Sequence, residues 1–344
     1  MAMVVITGVE TPLGRRVARL VSAEPSTEVV GLAASAVVDL PKVTVHRIDL
    51  ATDDVKPYLE HADALLHLVA SVPATVTDAS DDVAVARRVF DAAGDAGVSH
   101  VVVLSSATVY GAWANNPVPL TEDAALRPNP GFPFAIERAE IERLAAEWRE
   151  GHPGTTVAAL RPARVAAADQ DDWLIRALRP GPAVPEHADE PAVQFVDVDD
   201  LAAAVDLARR ERLDGAFNVA PEGAIPGDQV RSLIGAPPKV PLPERVVGRV
   251  LRWGFRWGLG PTPPELVPYT LNSWVVAADR LRAAGWTPQV SNEEACVEAH
   301  EVGAWATMSP RRRQEIALTT AGAGIVALLV GAVLAVRRAS RNRR

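Results

Sequence analysis

Residues 7–14, "TGVETPLG", join a short apolar run (residues 3–7) to a segment with Leu13, Val17, Leu20 and Val21 at helical spacing. Thr11 and Pro12 stand where an N-cap and a first helical residue belong. A strand, a tight turn and a helix N-terminus in that order present backbone N–H groups to an anion, which suits a pyrophosphate. Gly8 and Gly14 hold the outer positions, but Thr11 takes the middle one, where a glycine usually lets the ligand approach the backbone. Its Cβ is expected to crowd a pyrophosphate or push it outward. A second stretch, "PGFPFAIERAE" at 130–140, opens a helix through Pro133. Between Gly131 and Glu142 it contains no Tyr, Ser, Thr, Cys, His or Lys, so this helix brings no obvious proton carrier. His67 falls on a buried strand and reads as structural. There is no Cys/His metal spacing, no nucleophile elbow and no P-loop, so no metal is expected.

The elements that must position these residues alternate. "EVVGLAA", "VTVHRIDL", "DALLHLVA", "HVVVLSS" and "TTVAALRP" read as strands, and "DDVAVARRVFDAAGDAG" and the segment after Pro133 read as helices. Near-continuous apolar strands between helices mean a parallel sheet covered on both faces, with its ligand crevice at the carboxyl ends of the strands. The expected fold is a Rossmann-type, doubly wound α/β domain over 1–164. A smaller, less regular substrate lobe over 165–310 interleaves with it.

In this order, "TGVETPLG", "IDL" (48–50), "HLVA" (67–70), "LSSATVYG" (104–111), "LRPARV" (160–165), "FVDVDDLA" (195–202), "FNVA" (217–220) and "GWTP" (285–288) resemble the extended short-chain dehydrogenase/reductase family, in its NAD-dependent epimerase/dehydratase branch. "SSATVYG" is similar to the sugar-nucleotide 4-epimerases. The resemblance implies an NAD or NADP site. Gly8, Thr11, Leu13 and Gly14 would line the pyrophosphate, Asp49 and Leu50 the adenine, Leu68, Val69 and Ala70 the middle of the dinucleotide, and Pro162 the nicotinamide. Families using NAD often carry an acid at the end of the second strand, and those using NADP a base. Ala33 and Ala34 stand there, so the choice of cofactor stays open. The family's catalytic set is a Ser, then Tyr-x-x-x-Lys on the next helix. Ser106 matches the Ser, Phe134 falls where the Tyr belongs and Arg138 where the Lys belongs. Phe134 has no proton to exchange, and Arg138 stays protonated at neutral pH, although it could hold a ribose hydroxyl. Tyr110 would shape the pocket. Three readings follow: a membrane-tethered NAD(P)-binding protein without standard Tyr/Lys catalysis, acting as sensor, scaffold or assembly partner; an active epimerase, dehydratase or reductase on a sugar-nucleotide or lipid-linked substrate; or a structural subunit without nucleotide. The first is the leading expectation.

The chain has 344 residues and a net charge of −8, but 311–344 carries eight Arg against one Glu, leaving the rest at −15. So acidic a body argues against nucleic acid as a partner. Cys296 is the single cysteine, which excludes an intramolecular disulfide. The N-terminal "MAMVVITGVE" has no basic n-region and reads as a strand, not a signal peptide. Residues 316–336 are uncharged and long enough, at about 1.5 Å per residue, to cross a hydrocarbon core. With flanking arginines they are expected to form a C-terminal transmembrane helix, with 311–344 the anchor and the main domain cytoplasmic. Thr319, Ala323, Ala327, Gly331 and Ala335 form a small-residue stripe suited to a helix–helix partner or homodimer. Residues 244–260 set Arg245, Arg249, Arg252 and Arg256 on one helical face and Val246, Val247, Val250, Trp253 and Trp257 largely on another. The first reading is a surface helix with its apolar side on the small lobe, and the second a membrane-interface helix.

Overall fold

The computed structural model describes residues 2–34, 39–70, 78–167, 173–178, 183–185, 190–236, 240–257 and 262–300. The strands are β1 (Ala2–Thr7), β2 (Thr27–Ala33), β3 (Val43–Arg47), β4 (Ala64–His67), β5 (His100–Leu104), β6 (Thr156–Pro162), β7 (Arg164–Ala166), β8 (Ala183–Pro185), β9 (Phe195–Asp197), β10 (Gly215–Val219) and β11 (Val240–Leu242). The helices are α1 (Pro12–Ser22), α2 (Lys56–Leu59), α3 (Asp82–Ala96), α4 (Pro133–Gly151), α5 (Trp173–Ala177), α6 (Val198–Arg210), α7 (Gly227–Leu233), α8 (Glu244–Arg256), α9 (Val267–Leu271), α10 (Asp279–Ala283) and α11 (Asn292–Glu298).

Seven strands form one sheet in the order β10-β6-β5-β4-β1-β2-β3, every pair parallel. The chain runs outward from β1 through β2 to β3, then restarts at β4 on the other side of β1. That reversal opens a crevice beyond the ends of β1 and β4. Both sheet faces are covered, so alternate residues of one strand enter different cores. Val4 and Ile6 pack with α1 and α6, whereas Val5 packs with α3 and α4. This explains why the strands read as apolar runs rather than alternating patterns. β10 and α6 come from beyond residue 164, yet they complete the main sheet and its covering layer. Two further pairs, β7 with β9 and β8 with β11, lie outside that sheet.

A buried polar network ties the crevice side of the sheet together. Arg161 on β6 donates from Nε and Nη2 to Glu142 on α4, the latter at 2.6 Å. Its Nη1 donates to the Tyr110 hydroxyl at 2.7 Å, and that hydroxyl donates to Asn218 Oδ1 at 2.8 Å. Ser105 donates to the same Glu142. Burial works against the Arg161 charge, but the Glu142 carboxylate beside it raises the guanidinium's pKa above its ordinary value. Thus four segments share one ion pair.

The expectation of a membrane-anchored chain is corrected. Among the described residues no helix is long and apolar enough to cross a membrane, so the transmembrane helix, the single-pass topology and the membrane partner have no support in the fold. Residues 316–336 and the small-residue stripe that suggested helix pairing or a homodimer lie outside the described residues. The 244–260 segment forms the 13-residue α8, with Val247 buried and Trp253 and Trp257 exposed. It is a surface helix seated through Val247, and its last residues, 258–260, lie outside the described residues.

The buried pair yields a test of the fold. Arg161→Met leaves the Glu142 carboxylate buried without its cation, a change expected to cost about 3–5 kcal/mol. Urea unfolding followed by tryptophan fluorescence measures it. A loss below about 1 kcal/mol would mean that water reaches the carboxylate.

Candidate active site

At the head of α1, Thr11 acts as the N-cap: its hydroxyl accepts from Gly14 N at 3.0 Å and donates to Gly8 O at 2.8 Å. Pro12 has no N–H, and Arg15 N donates to Thr11 O. Among the described residues, this leaves Leu13 as the first-turn residue with an N–H open to an incoming oxygen. Gly8 sits at φ +73°, with space for a Cβ closed off 3.3 Å from the Leu68 backbone. A Cβ on Gly14 would run into Gly8 O and Val9 Cα. The two glycines therefore let β1, α1 and the end of β4 meet closely. The Thr11 hydroxyl is thus committed to its own turn.

The crevice beyond the strands encloses about 180 Å³. Its walls come from the turn (Thr11, Pro12, Leu13), the end of β4 (Leu68, Ala70), the end of β5 (Leu104, Ser105, Ser106), the end of β6 (Pro162, Ala163), and Phe134 and Trp173. The fold thus brings Thr11, Leu13, Leu68, Ala70, Ser106, Phe134 and Pro162 to one place. Gly8 and Gly14 lie within the turn. Asp49 and Leu50 do not line the crevice; Asp49 is exposed beyond β3, where it accepts from Ala51 N at 2.9 Å, and Leu50 is buried.

Arg138 is not in the crevice. It is 1% exposed and pairs with Asp82, itself 3% exposed, at the start of α3. Its Nη1 donates to Val69 O at 2.9 Å. Its guanidinium carbon lies 5.4 Å from the centre of the Phe134 ring. Burial lowers the Arg138 pKa, and Asp82 opposes that shift. Thus Arg138 is fastened beneath Phe134 to a carboxylate and to the end of β4. Asp82 had no visible signal in the sequence, because its partner is 56 residues away and on another helix.

Phe134 presents its ring to the crevice, edge-on to Trp173 at 5.6 Å between centroids. Phe132 packs beside both, and Tyr269 is edge-on to Phe132 at 5.3 Å. None of the three tyrosines lines the crevice. Tyr110 is held by Arg161 and Asn218, and Tyr269 donates to Thr108 O at 3.0 Å. Burial raises the pKa of both.

Ser106 is the hydroxyl left for chemistry. It accepts from Thr108 N at 3.2 Å and from Thr108 Oγ1 at 2.9 Å. With those two contacts on its oxygen, its own proton is what remains for it to donate. Ser105 is spent on Glu142 and Thr11 on Gly8. Behind the crevice, His67 Nδ1 lies 2.9 Å from Thr7 Oγ1 across the β1–β4 pairing. Burial, then the Arg138 charge, depresses its pKa to about 4, so it is neutral at pH 7. Among the described residues no cluster of His, Cys, Asp or Glu could hold a metal ion.

The chain matches the NAD dependent epimerase/dehydratase family over residues 4–220, and it belongs to that family. Together with the doubly wound sheet and the glycine turn, this makes the fold an NAD(P)-binding one. Solved structures share the architecture at low identity. UDP-N-acetylglucosamine 4-epimerase from Bacillus cereus is 16% identical, with a TM-score of 0.63 over 87% of this chain and 98% of that one. MoeE5 in complex with UDP-glucuronic acid and NAD is 20% identical, with a TM-score of 0.64 over 86% and 97%. A short-chain dehydrogenase/reductase superfamily protein from Agrobacterium tumefaciens with bound NAD is 20% identical, with a TM-score of 0.64 over 92% and 99%. No curated protein matches the sequence. The expectation of a membrane-tethered sensor or scaffold without standard Tyr/Lys catalysis is corrected on two findings: among the described residues no helix can cross a membrane, and the family is one of NAD-dependent epimerases and dehydratases by name, with two of these structural neighbours NAD complexes.

His67 and His100 make stability depend on pH. Burial depresses both to about 4 from an ordinary 6.5. The folded chain therefore binds fewer protons than the unfolded chain below pH 6.5, and stability falls as pH drops from 6.5 towards 4. Each histidine contributes up to about 3 kcal/mol of that loss. Urea midpoints at pH 7.5, 6 and 5 should fall in sequence, and His67→Gln with His100→Gln should flatten the slope above pH 5. An unchanged slope in the double variant would refute the assignment.

Proposed function

We propose that the chain is an active NAD(P)-dependent enzyme of the epimerase/dehydratase family, which moves hydride between the nicotinamide and a carbinol or carbonyl carbon held at Ser106. The observation that carries this is the Ser106 hydroxyl, filled on its acceptor side by Thr108 and left as a donor at the crevice. Leu13 N–H and the Gly8 turn would receive the pyrophosphate, with Thr11 and Gly14 shaping the turn. Leu68, Val69 and Ala70 would follow the middle of the dinucleotide, Asp49 and Leu50 would border the adenine, and Pro162 would back the nicotinamide. When bound, the cofactor supplies the hydride acceptor or donor.

Phe134 stands in the position of the family's tyrosine and Arg138 in that of its lysine. Arg138 is a positioning residue: it holds Val69 and carries Phe134. Without the tyrosine the proton must reach the substrate oxygen by another route, from solvent or through the Ser106 hydroxyl. General acid–base catalysis is worth roughly 10²–10⁴, so hydride transfer survives its loss at a reduced rate.

Among the described residues, the crevice walls are apolar apart from Thr11, Ser105 and Ser106, and only Ser106 has a donor to spare. A pyranose carries several hydroxyls that would meet few partners here, at a cost of about 1–3 kcal/mol for each one left unpaired. An alcohol or ketone flanked by hydrocarbon, as in a lipid, would leave fewer groups unpaired. The sugar-nucleotide reading is supported by the names of the structural neighbours.

Single-turnover absorbance of NADH or NADPH with long-chain ketones and with 4-keto nucleotide sugars tests both readings. Ser106→Ala is expected to slow turnover about 10²-fold. Phe134→Tyr is expected to raise it about tenfold or more, because the ring already faces the crevice. Full activity in Ser106→Ala would contradict the proposal.

A further inference from the structure

Among the described residues, Arg138, Arg161, Arg164 and Arg231 are buried. Three of them face a carboxylate: Arg138 pairs with Asp82, Arg161 with Glu142 and Arg231 with Glu190. Arg164, on β7, does not. It is 5% exposed, and among the described residues it makes no hydrogen bond and no ion pair; its Nε is shielded from water without an acceptor. Its guanidinium carbon lies over two rings, 5.5 Å from the centre of Phe195 and 5.2 Å from that of Trp274. Phe195 is its partner in register across β7 and β9. The rings attract the charge, but a ring face offers an N–H no lone pair. The titratable group that acts on Arg164 is Cys296, whose thiol burial pushes up to about 11, so it carries no charge at pH 7. Burial draws Arg164 itself down to about 10, which leaves it protonated there. A buried cation without a counter-charge is costly, and folded chains pair such a group or neutralise it. Arg164 is neither, so its counter-charge must come from outside the chain.

Trp274 also lines a small opening of about 10 Å³, together with Ala163, Gln194 and Val275. That is room for about one particle the size of a water molecule. The opening is separate from the crevice at Ser106, with which it shares Ala163 alone. Nearby side-chain donors are already used: Trp274 Nε1 donates to Tyr269 O at 3.2 Å, and Gln194 Nε2 to Gly223 O and Val276 O. The outer N–H groups of Arg164 are the donors left. We propose that Arg164 holds a chloride ion beside Trp274, as a structural counter-ion of the smaller lobe. A space of this size takes a halide and not a tetrahedral oxyanion, and the planar guanidinium fork can direct two N–H groups at one such ion. The ion would neutralise the charge and tie β7 to the segment that carries Trp274. This site is independent of the cofactor and of the chemistry at Ser106.

Thermal melts of the full chain in sodium chloride and in sodium gluconate, at equal ionic strength, test this without reference to turnover. The native chain should melt higher in chloride. Above the dissociation constant, each tenfold rise in chloride should raise the midpoint by about 2–3 °C. Chloride-35 line widths report the ion directly: the excess broadening produced by the native chain should be removed by bromide and not by an equal concentration of phosphate. Arg164→Met fills much the same space without a charge, and exchanging a buried ion for an apolar side chain is often neutral or stabilising. It should therefore fold, melt alike in both salts and leave the chloride line narrow. Arg164→Lys is the second variant: a point charge without the fork should bind chloride more weakly and show a smaller chloride response. Equal midpoints for the native chain in the two salts, the same chloride dependence in Arg164→Met, a native response in Arg164→Lys, or displacement of chloride by phosphate would each overturn the assignment.

Discussion

The Arg138–Asp82 ion pair fixes what the crevice can be. It joins α4 to α3 and, through Val69 O, to the end of β4. Two elements that line the crevice, α4 and the end of β4, are thereby tied to α3 by one guanidinium that water does not reach. A buried pair of this kind is weak evidence for added stability, because desolvation offsets much of its attraction. Its consequence here is geometric. With Asp82 and Val69 satisfied by Arg138, the guanidinium is kept under Phe134 and does not reach into the crevice. A lysine in its place would offer three donors on a flexible stem rather than a planar fork, and would serve different neighbours.

From this follows the uneven distribution of polar groups. Ser105, Tyr110, Glu142 and Arg161 are absorbed by the network beneath the β5 and β6 ends. Thr11 is absorbed by its own turn. Among the described residues that line the crevice, Ser106 is the one hydroxyl whose proton has no acceptor, with Thr108 on its acceptor side. The surrounding apolar surface lowers the local dielectric, which strengthens a single well-placed hydrogen bond to a substrate oxygen. On the proposed function, the site relies on orientation, exclusion of water and that one donor, and the proton comes from outside the usual dyad.

Much of the fold was legible because it depends on local pattern. Apolar runs of strand length between helical repeats announced the parallel sheet, and Thr11-Pro12 marked the start of α1 to the residue. Ser106, Phe134 and Pro162 could be placed because their neighbours in the chain fixed the register. What was not legible depends on contacts between distant residues. Nothing in the spacing of Asp82 and Arg138 says that they pair, and nothing in Glu10 says that its carboxylate lies at the end of β2, where it accepts from Ala34 N. Both facts arise only when β1, β2 and β4 meet at the glycine turn. At the tail, the uncharged run between arginines carries a hydropathy signal but lies outside the described residues, among which no helix is long and apolar enough to cross a membrane. The arginine stripe of α8 is nearer the mark: of its two readings the surface helix stands, with Val247 buried and Trp253 and Trp257 exposed.

The central claim is that hydride moves at Ser106 although the usual tyrosine is absent. Deuterium transfer tests it most directly. The native chain would be incubated with NADH deuterated at nicotinamide C4 on either face, together with a long-chain ketone or a 4-keto nucleotide sugar, and the product analysed by mass spectrometry. The account predicts deuterium on the carbinol carbon from one face only, with transfer about 10²-fold slower in Ser106→Ala. Tight binding of NADH with no deuterium transferred to any of these substrates would contradict it.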